Sequence, residues 1–236
     1  IWAVVILVIT HLIIIRGVKE GIEKASKALM PALFVILIIL VVSACMLPNA
    51  WEGIEFLFKP DFSKVSKDLF LGALGQAFFS LSIGMGCLCT FASYFTKDTD
   101  LTNSAVQISV IDTVVAILAG LLIFPAAFSI GVSPDSGPSL IFITLPNVFE
   151  QAFSSVPIIG YIVAISFYIL LSLAALTSLI SLHEVSTAFF HEEMNINRKT
   201  AATIVTVICS VIAALCSLSL SDWNAISIGG KPLFDI

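Results

Sequence analysis

The chain has 236 residues, of which 58% are hydrophobic and only 11% charged, with a formal net charge of −5. A soluble domain carries about 25% charged residues, so the composition excludes a water-soluble globular protein. An integral membrane protein is the class that remains, and no nucleic-acid partner is expected.

Taking about 20 apolar residues per crossing, six spans are expected, at about 1–15, 28–47, 69–94, 104–131, 157–190 and 200–220. Together they are read as one transmembrane domain over residues 1–236. The first span opens on Ile1-Trp2 with no initiating Met, and Leu233-Phe234-Asp235-Ile236 forms no polar tail, so the chain is expected to be a fragment of a longer protein. No basic stretch precedes the first run, and no signal peptide is expected. Arg16, Lys19, Lys24 and Lys27 follow the first span, Lys97 follows the third, and Arg198 with Lys199 follow the fifth. The opposite loops hold Lys59, Lys64, Lys67 and Lys231, and none lies in 132–156. The richer set is therefore cytoplasmic. The loops 48–68 and 132–156 lie outside, and their Pro, Gly and aromatic residues suit packing over an external vestibule. The expected location is the cell (inner or plasma) membrane, multi-pass, with the lipid bilayer as a partner.

The third span carries Phe78-Phe79-Ser80-Leu81-Ser82-Ile83-Gly84-Met85-Gly86 at its middle. Lipid offers no partner to backbone N–H and C=O groups, so two hydroxyls and two glycines at mid-membrane predict a broken helix. Freed carbonyls at such a break can hold cations, and a half-helix N-terminus can hold an anionic group. That chemistry points to a transporter. In the fourth span Pro125 predicts a kink, and Asp112 stands between Ile111 and Thr113, two or three turns in. A carboxylate at depth is costly and reads as a functional site; the plainer alternative is hydration near the cytoplasmic end.

The fifth span contains Thr177-Ser178, with Ala174 three residues before Thr177 on the same face. Hydroxyls and carbonyls suit sodium, a hard cation, but such hydroxyls also bond back to the preceding turn or join helices. The pairs His183-Glu184 and His191-Glu192 do not make a zinc-protease motif, which needs histidines where Thr187 and Asn195 stand. His183-Glu184 is expected to line a polar face of the bundle, and no enzymatic activity is expected. The five cysteines lie in or beside apolar segments and read as packing residues.

In order and spacing several stretches resemble the sodium:neurotransmitter symporter family, bacterial amino-acid branch. They are Arg16 to Lys24 (RGVKEGIEK) with Met30-Pro31, Gly75 to Ser82 (GQAFFSLS), Ala92-Ser93-Tyr94, Phe142 to Pro146 (FITLP), and Ala175-Leu176-Thr177-Ser178. The resemblance implies an all-α integral membrane protein of the broken-helix, inverted-repeat (LeuT-type) fold, with about six spans present of a usual twelve. It implies a sodium-coupled carrier that imports a small amino acid by alternating access, with two sodium sites in the complete protein. Ser80 and Asp112 would ligate the first sodium, and Ala174 through its carbonyl, Thr177 and Ser178 the second. Phe79, Ser80, Ser82, Met85, Ser178 and Leu182 would contact substrate, and the bulk of Phe79, Met85 and Leu182 favours a hydrophobic or aromatic amino acid. Gln76 and Phe79 would gate the outside, Tyr94 and Glu192 the inside. Gly21 and Pro31 bracket the segment that unwinds toward the cytoplasm.

Two departures bear on mechanism. Chloride-dependent relatives carry Asn where this chain has Asp112, and some chloride-independent ones carry Glu where it has Ala116. Asp112 can then replace the chloride charge, so chloride is not expected to be required. The resemblance implies that the family's first three spans, with half of both sodium sites, and its tenth, with the external gate acid, lie outside this chain. A truncated, non-transporting membrane module with the same packing is the alternative reading; an ion channel fits less well, for want of a filter sequence. A homo-oligomer is compatible with either.

Overall fold

A computed structural model of the chain describes residues 2–129, 131, 157–219, 227–228 and 231–232. The loop 132–156, with its FITLP stretch, lies outside the described residues. The described chain is helical apart from a two-residue antiparallel pair, Ser227–Ile228 with Lys231–Pro232. The helices are α1 (Trp2–Ile14), α2 (Lys24–Cys45), α3 (Ala50–Phe58), α4 (Lys67–Ser80), α5 (Cys87–Ser93), α6 (Leu101–Ser129), α7 (Pro157–Glu192) and α8 (Arg198–Ser219). A six-residue π-helical segment, Val18–Glu23, leads into α2.

Segments 18–45, 101–129, 158–192 and 198–218 are each long and apolar enough to cross a bilayer, and α1 is a shorter apolar helix. Their outer faces are apolar as well: Val35, Ile39 and Val42 on α2 are 56%, 55% and 54% exposed. In water so much bare hydrocarbon would drive association; in lipid it is the solvent-matched surface. Hydroxyls on these helices turn inward to the backbone, as where Thr10 donates to the Ile6 carbonyl at 2.9 Å and Ser172 to that of Tyr168 at 2.8 Å.

The chain divides into two compact units, one of residues 1–30, 86–93 and 174–236, the other of residues 31–85 and 94–173. In the second, Leu37, Leu40 and Ala44 of α2 pack with Leu122 and Ala126 of α6 and with Val163 and Phe167 of α7. Helix α3 lies on the end of α6. Phe56 meets Phe124 and Phe128 at ring-centroid distances of 5.2 and 5.4 Å. Gly53 sits against the Phe124–Pro125 peptide, where proline has no N–H and glycine no Cβ to hold the chains apart. A Cβ at position 53 would come 2.5 Å from the Pro125 nitrogen and 2.6 Å from the Phe124 carbonyl carbon. Both obstacles are backbone, so Gly53→Val should cost about 1–3 kcal/mol. Thermal melting of the purified full-length protein checks this; a variant that melts like wild type would contradict it.

In the first unit α1 packs along α8, and the turn that follows α1 reaches Gly17, whose φ of 87° suits a residue without Cβ. Gly21 then touches the Ile13 carbonyl, leaving no room for a side chain there.

Candidate functional site

Helix α4 begins with Ser66 capping the Leu69 amide at 3.2 Å and stops at Ser80. Past that point the backbone unwinds. The Ser82 amide donates to the Phe79 carbonyl at 3.1 Å and the Ile83 amide to that of Phe78 at 2.9 Å; helical bonding resumes with Thr90 to Gly86. Ser82, Gly84 and Gly86 have φ of 53°, 89° and 80°. Two of the three are glycines, which take this left-handed conformation without steric cost. Among the described residues no backbone bond reaches the carbonyls of Ser80, Leu81, Ile83 or Gly84. The break expected from the sequence is present.

Asp112 of α6 meets this break. Ser80 Oγ lies 2.8 Å from both carboxylate oxygens. One hydroxyl hydrogen bridges the carboxylate symmetrically, and the remaining lone pairs of the three oxygens stay free to accept. Anionic and neutral oxygens so grouped are the donor set of a hard cation. Ala116, one turn on from Asp112, is exposed and adds no second acid. Gln76, Phe79 and Met85 belong to the same unit as this pair, and Phe79 is 65% exposed. Tyr94 is half-buried in that unit, and Pro31 is exposed.

The second group lies in the other unit. Thr177 Oγ1 donates to the Ala174 carbonyl at 2.9 Å, the bond back to the preceding turn that was the plainer reading of this pair. It also holds the two oxygens at the separation that ligands of one small cation adopt. A hydroxyl that turns its hydrogen away frees both oxygens to face a small cation. Ser178 and Leu182 are exposed on the same helix; Gly21 is buried and Glu192 exposed. The residues assigned to substrate are thus divided between the units, Phe79, Ser80, Ser82 and Met85 in one and Ser178 and Leu182 in the other.

A third polar group went largely unread in the sequence. His183 and Glu184 are 3% and 0% exposed, as expected of a polar face within the bundle. The Arg198 guanidinium contacts both Glu184 carboxylate oxygens at 2.8 and 2.7 Å and donates to the Ile14 carbonyl at 3.4 Å. His183 lies between Thr187 and Thr206, and Thr206 reaches His11. A histidine amid the apolar run of α1 was the available signal for His11.

The model of the sodium:neurotransmitter symporter family matches residues 1–235. The chain belongs to that family. It is 38% identical to an uncharacterized sodium-dependent transporter of Haemophilus influenzae, over 99% of this chain and 50% of that protein. It is also 38% identical to the uncharacterized sodium-dependent transporter YhdH of Bacillus subtilis, over 98% of this chain and 50% of that protein. The crystal structure of MhsT in complex with L-phenylalanine superposes with a TM-score of 0.83 at 42% identity, covering 98% of this chain and 52% of that one. The chain therefore spans about half the length of the relatives it matches. Its fold is the broken-helix fold of this transporter family, in a multi-pass membrane protein.

Proposed function

We propose that the chain forms part of a sodium-coupled carrier that imports a hydrophobic or aromatic amino acid by alternating access. The observation that carries this reading is the Ser80–Asp112 pair at the unwound turn 81–86, where carboxylate and hydroxyl oxygens stand beside backbone carbonyls that no described amide reaches. In this reading Ser80 and Asp112 hold a first sodium beside the substrate carboxylate, and Ala174, Thr177 and Ser178 hold a second. Sodium and carboxylate attract in a site of low dielectric, so each raises the affinity of the other. At ~100 mV each charge moving inward supplies about 2.3 kcal/mol.

Phe79, Ser82, Met85, Ser178 and Leu182 line the substrate. The apolar bulk of Phe79, Met85 and Leu182, and the phenylalanine bound by MhsT, favour an aromatic or aliphatic side chain. Phe79 and Gln76 close the outside. Tyr94, Glu192 and the Gly21–Pro31 segment yield on the inside. Asp112 supplies the negative charge that chloride gives elsewhere in the family, so transport proceeds without chloride.

Reconstituting the full-length protein in proteoliposomes tests this. Uptake of labelled leucine and tryptophan is expected with sodium outside, not with potassium, and unchanged when gluconate replaces chloride. Equal uptake in potassium would remove the coupling, and a chloride requirement would remove the role given to the Asp112 charge. No uptake of any amino acid would favour the non-transporting module.

A further inference from the structure

The unused chemistry of this chain is concentrated in the unit that holds α1, α8 and the end of α7. Thr206 Oγ1 donates to the Ala202 carbonyl at 2.8 Å, yet the same oxygen lies 2.8 Å from His183 Nε2 and 3.0 Å from His11 Nδ1. On its other side, His183 Nδ1 is 3.0 Å from Thr187 Oγ1. A hydroxyl has one hydrogen and two lone pairs. If Thr206 gives its hydrogen to the Ala202 carbonyl, both imidazole nitrogens facing it carry N–H, and the bare nitrogen of His183 is Nδ1. If Thr206 instead donates to Nε2, the bare nitrogen is Nε2. In either tautomer the bare nitrogen faces a hydroxyl that can turn and accept. A second proton on the ring therefore finds an acceptor without any heavy atom moving.

We propose that His183, linked through Thr206 to His11, is a proton-binding site within the membrane bundle, and that its proton opposes sodium bound on the same helix. Among the described residues the charged and titratable groups around it are few. Glu184 on α7 is held by Arg198 of α8, and His11 comes from α1. Gly86, just before α5, lies beside Val185, and α5 brings a buried Cys87 and an exposed Cys89. Arg198 and Glu184 cancel, so a proton on His183 adds one net positive charge. Thr177 lies six residues earlier on α7, about 9 Å along the axis. A unit charge at that distance weakens sodium binding roughly tenfold. The linkage rests on the sodium site proposed above; the proton site does not.

Two measurements on the purified full-length protein separate them. Nitrogen-15 NMR of labelled histidines, assigned against His183→Gln and His11→Gln, should show the His183 imidazole taking up a second proton reversibly as the pH falls. Thr187→Val should move that midpoint and Thr187→Ser should keep it, a rescue that a packing role alone would not give. An imidazole that stays neutral to pH 5 would overturn the site. Labelled-sodium binding should weaken about tenfold from pH 7.5 to 5.5 in the wild type and stay level in His183→Gln. A wild type insensitive to pH, or a variant with undiminished pH dependence, would overturn the linkage. Absence of sodium binding at every pH would count against the carrier reading, while the NMR titration would still decide the proton site.

Discussion

Asp112→Ala in the full-length protein should abolish sodium-dependent uptake while leaving the protein folded. Among the described residues Asp112 is hydrogen-bonded to the Ser80 hydroxyl, which an alanine would release to its own helix at small cost. In the proposed sodium-bound state the same carboxylate would face a cation. At 4 Å and an effective dielectric of 20 that attraction is worth about 4 kcal/mol, or roughly a thousandfold in sodium affinity. Asp112→Asn keeps an oxygen but not the charge, so its loss should be smaller and its activity should respond to chloride. Uptake and melting measured on the same preparations check this. Normal sodium-dependent uptake by Asp112→Ala would take the residue out of the ion site.

Arg198→Ala should have the largest effect on stability. Glu184 is fully buried and takes both of its ion-pair contacts from Arg198, itself only 19% exposed. Removing one member of a buried pair costs about 3–5 kcal/mol, because the other charge loses the partner that offset its desolvation. Arg198 also sits at the C-terminal end of α1, where a cation complements the helix dipole. The melting temperature should fall by about 5 °C. The double variant Glu184→Gln, Arg198→Met should recover most of it, since it removes both charges together. An Arg198→Ala protein that melts like wild type would mean that the pair contributes little.

Asp112 and Arg198 differ in how far each could be read along the chain. Asp112 stands among apolar residues, so its cost in lipid marks it at once. Arg198 looks like one more loop cation, and counting it toward orientation hides its partner. Glu184 lies 14 residues away on another helix, and no local periodicity pairs them. The same holds for His11 and Thr206, which are 195 residues apart.

The sequence by itself determined the membrane class, the broken α4–α5 span and the family, because these rest on local properties. Runs of apolar residues favour helix in lipid, and two hydroxyls with two glycines close together at mid-span weaken that helix locally. Tertiary structure alone decided that Ser80 bridges both oxygens of Asp112, that Gly53 lets α3 settle on Pro125, and that two histidines share one threonine. Each is a meeting of side chains distant in sequence, and its geometry depends on how the helices pack, which no stretch of either helix encodes alone.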